Sequence, residues 1–320
     1  MFFTGNLRKI PLPHFFLTTF LIFVIPGNRV VSVESERLLI VFTANNNGQL
    51  LDCGCNTEYP GGLPRRLTAI NNLRKEYGEI LLLEGGDFLG TTDVVLQNKF
   101  VMDAYDLFKY DGIAFGEQEF WNEVPFFENE ILGRKQSFVC TNINSSNVKD
   151  QTKGRIIRKI KVIKNGYKLN IFALLHKNSF LYFPDNKIPS FQFEDVKRHL
   201  RSELKKVNDH SSLNIVIYHG DHWIFEELKK EFSEIAIWLI GHEPGNLLDS
   251  WQESSKPVIV QSGTDGESLE LVEVSKSDKG KLFFNVKRLY LTEEIVPDVE
   301  LKKSLEEYYN MINVPIKLKN

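Results

Sequence analysis

Short apolar runs recur along the chain, each closed by small or polar residues and separated from the next by an amphipathic stretch. Residues 38–43 (LLIVFT), 79–84 (EILLLE), 112–115, 137–142, 213–218 and 235–240 read as strands. Residues 63–77 carry Leu67, Ile70 and Leu73 at helical spacing, which predicts a helix with one apolar face. Residues 101–109, 126–132, 194–208 and 225–232 read as further helices. Residues 155–164 and 167–175 alternate with period two around Asn165-Gly166, a hairpin signal. Residues 258–261, 269–274 and 282–291 are strands expected at a far edge, and residues 299–311 form a last amphipathic helix. Strands alternating with helices predict an α/β fold.

The polar residues that close these runs carry the candidate chemistry. Asn45, Asn46 and Asn47 follow the first strand, and Asp87 follows the second. Glu117, Gln118 and Glu119 follow the third, His219 ends a later strand, and His242 follows another. In open α/β sheets the carboxyl ends of the strands line one crevice. Residues scattered over the chain are thereby expected to converge.

Composition narrows the function class. The 320-residue chain is 42% hydrophobic and 25% charged with a formal charge of −3, the profile of an ordinary globular protein. No basic stripe stands out, which argues against nucleic acid as a partner. Arg8 and Lys9 precede an apolar run over residues 15–25, closed by Pro26-Gly27, with Val30 and Ser32 small enough for cleavage after Ser32. This predicts a signal peptide over 1–32 and export to the periplasm or an equivalent compartment, with an uncleaved anchor as the alternative. The run falls short of the roughly 20 residues that span a bilayer, so no stable membrane span is expected after cleavage. No cysteine follows it closely enough for a lipid anchor. The chain is expected to divide into that signal, a main domain over 33–295 and a helical extension over 296–320.

Three cysteines are an odd count for an exported protein. Cys140 lies in an apolar run and reads as a small buried hydrophobe. Cys53 and Cys55, in Cys-Gly-Cys, admit either a tight, strained disulfide or a pair of thiolate ligands. No Cys-x-x-Cys-His occurs, so no covalent haem is expected.

The order of these motifs resembles the calcineurin-like metallophosphoesterases, and within them the exported 5′-nucleotidase group. The likeness covers roughly residues 38–291. The group's strand ending Thr-Asn-Asp-x-His-Gly is matched by Thr43-Ala44-Asn45-Asn46-Asn47-Gly48. Its Gly-Gly-x-x-Arg-Arg helix opening is matched by Gly61-Gly62-Leu63-Pro64-Arg65-Arg66. Gly86-Asp87, Gly116-Glu117-Gln118-Glu119, His219 and Gly241-His242-Glu243-Pro244 stand for the Gly-Asp, Gly-Asn-His-Glu, His and Gly-His-x-His elements. The resemblance implies a four-layer α/β/β/α sandwich around two mixed sheets.

The resemblance also implies two divalent ions that activate a water against phosphorus. The residues depart from that pattern. Asn45 replaces a carboxylate ligand, Asn47 an imidazole and Pro244 another imidazole, and Glu117 replaces an amide ligand. Gln118 replaces the family's catalytic histidine, and an amide neither carries positive charge nor gives up a proton. Asp87, His219 and His242 remain as matching ligands, with Cys53, Cys55, Glu117, Asn45 and Asn47 as weaker candidates.

Three readings stay open: one zinc or manganese ion, no metal, or a working two-metal phosphatase. The dinuclear site is the one expected to be absent. Without it, the chain is expected to act as a binding or assembly module, with no catalytic residue assigned; the alternative is a metal-dependent phosphohydrolase with a rebuilt ligand set. The asparagines are then expected to hold a strand-exit loop in shape. About thirty residues follow the last strand, too few for the group's nucleobase-binding domain. The Cys-Gly-Cys and Gly-Glu-Gln pattern resembles exported relatives that accompany multihaem cytochromes, which implies a protein partner in a redox complex.

Overall fold

The computed structural model of the chain describes residues 37–52, 58–91, 95–144, 155–185, 192–207, 209, 211–245, 250–253 and 257–312. The expected signal segment and Cys53 and Cys55 lie outside the described residues.

Two sheets form the centre. Across the larger one run β12 (Ser250–Glu253), β15 (Leu282–Tyr290), β14 (Ser268–Lys276), β1 (Leu38–Thr43), β2 (Ile80–Glu84), β3 (Gly112–Ile113), β4 (Phe138–Val139) and β6 (Ile156–Ile157). The strands from β1 to β6 pair in parallel, and β14 joins β1 antiparallel with Leu38 opposite Val274. The smaller sheet runs β13 (Val258–Gln261), β11 (Ile237–Ile240), β10 (Leu213–His219), β8 (Tyr167–Leu175) and β7 (Ile160–Lys164). It is parallel except for the β7–β8 hairpin, which turns at Asn165-Gly166 as the sequence predicts. A two-stranded ribbon pairs β5 (Ile143–Asn144) with β9 (Gln192–Phe193).

The alternation of side chains along each strand sorts the core into three layers of contact. Leu38, Ile40 and Phe42 of β1 face Ile171, Ile215, Ile217 and Leu239 of the smaller sheet, so the two sheets pack against each other. Leu39, Val41 and Leu82 point the other way, toward α1 (Leu63–Tyr77), α2 (Val95–Phe108) and α6 (Val299–Met311). Phe172, Val216 and Trp238 cover the outer face of the smaller sheet with α4 (Val196–Lys205) and α5 (His222–Glu231). This is the four-layer α/β/β/α sandwich with two mixed sheets. The last helix lies on the body, with Leu301, Leu305 and Tyr308 buried in the α1/α2 layer.

Several elements differ from the sequence reading. The helix expected over 101–109 begins at Val95, because Asn98 is buried and bonded to Gly90 rather than ending the pattern. The strand expected over 137–142 is broken: the Thr141 and Asn142 side chains bond to the backbone around Ala173 and Leu175, ending β4 at Val139. Residues 126–132 open as the short α3 (Val124–Phe126) and continue as a π-helical turn over Phe127–Ile131. Ile156 and Ile157, expected in the hairpin, instead pair with β4 in the larger sheet. Among the described residues, no helix is long and apolar enough to cross a membrane.

Candidate metal centre

The carboxyl ends of β1, β2, β3, β10, β11 and β13 meet at one edge of the two sheets. They bring Asp87, Glu117, His219 and His242 together, with one ligand atom of each within 4.8 Å of all the others. Close approach depends on two glycines. Gly86 has φ 97°, and a Cβ there would stand 2.3 Å from Gly116 N. A Cβ on Gly116 would stand 2.1 Å from Asp87 Oδ1 and 2.6 Å from His219 Nε2. Only glycine lets the β2 and β3 exits lie this close to the centre.

His219 is fully buried. Its Nδ1–H donates to Gly85 O at 2.8 Å, which fixes the tautomer and turns Nε2 into the cluster. Nε2 stands 3.0 Å from Glu117 Oε2 and 3.4 Å from Asp87 Oδ2. His242 reaches the same Glu117 oxygen, its Nδ1 standing 3.3 Å away. That nitrogen is buried and has no hydrogen-bond partner. Burial disfavours the His219 imidazolium, but the Asp87 and Glu117 carboxylates outweigh it and raise its pKa well above the usual value. Burial likewise works against the Glu117 carboxylate, and the two imidazoles outweigh it and lower its pKa.

Four ligand atoms around one ion at about 2.1 Å lie about 3–4 Å apart. The contacts of 3.0, 3.3 and 3.4 Å fall in that range. The buried His242 Nδ1 makes no well-formed hydrogen bond and stands 3.3 Å from the Glu117 oxygen, where a shared ion would satisfy both. Two carboxylates and two neutral imidazoles also balance one divalent ion in charge. The residues present fit one divalent ion such as zinc or manganese, the imidazoles suiting zinc and the carboxylates manganese. Glu117, a weaker candidate from sequence, stands at the middle of the cluster.

The amides that replace the other ligands are engaged elsewhere. Asn45 Oδ1 accepts His242 N–H at 3.0 Å, and its Nδ2 donates to Ser262 Oγ and Gly263 O. Asn47 Nδ2 donates to Thr264 Oγ1 and Asp265 Oδ1. Gln118 Nε2 donates to Asn47 Oδ1 at 2.9 Å and to Asp87 Oδ2 at 3.2 Å. An amide donor thus faces the Asp87 oxygen from the Asn47 side. Pro244 is exposed and offers no ligand atom. Asn45 and Asn47 hold φ 53° and φ 51°, the left-handed geometry asparagine tolerates.

Beneath this loop, Asn46 Oδ1 accepts from Arg66 Nη2 at 2.9 Å, and Arg66 Nη1 donates to Tyr105 OH at 3.2 Å. Tyr105 and Thr43 in turn donate to Glu84. Arg66 and Glu84 are both buried. Burial works against the Arg66 cation, but Tyr105, Tyr110 and Glu84 hold it protonated. Burial raises the Glu84 carboxyl above its ordinary value.

Glu117 and Glu119, which could have been loop-tip acids, are both buried. His222 is exposed, on the first turn of α5. His176 lies beside the centre through its N–H to His219 O, while its ring nitrogen accepts from Asn178. Cys140 is buried, and burial pushes its thiol up to about 12. Sequence reasoning missed Glu119 as a structural acceptor and missed the 262–265 turn that receives the asparagines; the cluster of Ser262, Gly263, Thr264, Asp265 and Gly266 was the available turn signal.

No family model matches the sequence, and no curated protein matches it. Solved structures do. A 5′-nucleotidase precursor from Thermus thermophilus superposes with a TM-score of 0.72 at 20% identity, over 87% of this chain and 59% of that one. The sulfate thiohydrolase SoxB from the same genus gives 0.71 at 14% identity, over 86% and 61%. The calcineurin-like phosphoesterase YfkN of Bacillus subtilis gives 0.67 at 15% identity, over 86% and 97%. The chain therefore spans about three fifths of the first two proteins and nearly all of the third. The chain shares its fold with these 5′-nucleotidase, SoxB and calcineurin-like phosphoesterase structures.

Proposed function

We propose that this chain is an exported metallophosphoesterase-fold protein that holds one divalent ion, lacks two-metal phosphoryl transfer, and acts as a binding or assembly module. The observation that carries the reading is the fate of the replaced ligands. Asn45, Asn47 and Gln118 have their amide groups committed to protein partners, and the remaining ligand-type side chains gather around one point. The dinuclear mechanism needs a second cation sharing the bridging carboxylate. Here the Gln118 amide donates to that carboxylate, Asp87, instead.

One ion in this set would supply positive charge that neutralises the two carboxylates. The chain's own residues would hold it: His219 through the tautomer fixed by Gly85, Glu117 through the oxygen that meets both imidazoles. Export is supported by the signal-like N-terminus and by the Thermus neighbour's being a precursor. A protein partner, of the redox-complex kind the Cys-Gly-Cys pattern suggests, belongs to the same reading.

Turnover of p-nitrophenyl phosphate with added Mn²⁺ tests it. The reading expects no turnover above the Asp87→Ala background. Turnover abolished by Asp87→Ala would instead establish a phosphohydrolase with a rebuilt ligand set.

A further inference from the structure

Two of the four ligand residues sit in a backbone conformation that side chains rarely adopt. Asp87 has φ 55° and His242 has φ 65°. Left-handed geometry costs a non-glycine residue about 1–2 kcal/mol and persists only where the surroundings enforce it. The enforcing groups are Glu119 and Asn45, and neither belongs to the four-residue cluster.

Glu119 is fully buried. Its Oε2 accepts Asp87 N–H at 3.0 Å and Gly116 N–H at 2.7 Å. Its Oε1 accepts Phe88 N–H at 2.9 Å and Leu89 N–H at 3.1 Å. One carboxylate thus binds the turn that carries Asp87 to the strand exit that carries Glu117. Four backbone N–H donors fill both oxygens, and an amide here would set its own N–H₂ against two of them.

Asn45 plays the same part for His242. It is 2% exposed, and its oxygen accepts His242 N–H while its nitrogen donates to Ser262 Oγ and Gly263 O. Both ends of one amide are used to join the β11 exit to the β13 exit. An aspartate would lose the donor that Gly263 O requires.

We infer that Glu119 and Asn45 are positioning residues that clamp the two left-handed ligand residues, Asp87 and His242, into a pre-formed single-ion site. The inference rests on the one-ion reading above and assigns Asn45 a duty other than metal ligation. Partners that orient metal ligands typically carry 10–100-fold in metal affinity.

The test uses the full chain and four proteins: unmodified, Glu119→Gln, Asn45→Gly and Asp298→Ala. Glycine accepts φ 53° without strain, so Asn45→Gly removes the amide and leaves the loop geometry allowed. Asp298 caps α6 away from the centre, and its variant supplies a loss of stability unconnected with the site. Mn²⁺ affinity is read by electron paramagnetic resonance, and hydrogen exchange is read on the metal-free proteins at residues 87–89 and 242.

Glu119→Gln and Asn45→Gly each weaken Mn²⁺ binding at least tenfold and speed exchange at their own segment, while Asp298→Ala changes neither. Unchanged affinity in the two site variants, or an equal loss in Asp298→Ala, overturns the clamp and leaves the one-ion reading standing. If the unmodified chain binds no Mn²⁺ and, by calorimetric titration, no Zn²⁺, the one-ion reading falls. Exchange in the metal-free variants then decides the clamp alone: faster exchange at the pinned segments supports it, and unchanged exchange overturns it.

Discussion

Arg66→Met isolates the buried relay beneath the asparagine loop. Methionine keeps much of the side-chain volume and removes the charge. Two charge-assisted hydrogen bonds go, to Tyr105 OH at 3.2 Å and to Asn46 Oδ1 at 2.9 Å. At about 1.5 kcal/mol each this is a loss of about 3 kcal/mol. Glu84, fully buried, also loses its countercharge, which places the total at about 3–5 kcal/mol. Urea denaturation followed by circular dichroism measures it. Glu84→Gln on the same background removes the uncompensated charge, and the double-mutant cycle should return a coupling of about 1–3 kcal/mol.

The pH dependence has a definite sign. Glu84 titrates above its ordinary value because it is buried. Its contribution to stability is full below the unfolded value of about 4.3 and is lost as pH rises through the folded value. Removing Arg66 raises the folded value further. The Arg66→Met defect therefore shrinks as pH falls from about 8 to about 5. A loss below about 1 kcal/mol, strict additivity with Glu84→Gln, or a defect that grows toward acid would refute the relay.

Mn²⁺ at a hundredfold excess over its dissociation constant should stabilise the fold by about 2.7 kcal/mol, read as a rise in Tm that chelator reverses. Gly116→Ala puts a methyl group 2.1 Å from Asp87 Oδ1 and should abolish that metal-dependent rise. Asp195→Ala removes the side-chain cap on Arg198 N–H at the start of α4 and should cost about 0.5–2 kcal/mol in urea denaturation without changing metal affinity.

Where hydrophobic period and burial agree, the sequence alone located the element. β1, α1, β13 and α6 fall on the residues their patterns indicate: the two helices each turn one apolar face to the same layer, and the two strands are continuous apolar runs set between layers. The pattern misled where side chains take over backbone bonding. Thr141 and Asn142 look like strand residues, yet their side chains bond the β8 strand and end β4. Ile156 and Ile157 continue an alternating run, but that run crosses between sheets. At the centre, Asp87, His219 and His242 were legible as polar residues at strand exits. Glu117 was legible only as a weaker candidate, because its central place depends on two imidazoles from other strands, and the work of Glu119 was not legible, because it depends on backbone N–H groups of another strand's exit. That the asparagines serve the loop was readable from their turn preference; that Asn45 reaches across to His242 needed the fold.

The central claim concerns the number of ions, and elemental analysis of chain purified without chelators tests it most directly. The account predicts one transition-metal ion per chain, lost on His219→Ala. Two ions per chain, both lost on Asp87→Ala, would contradict it.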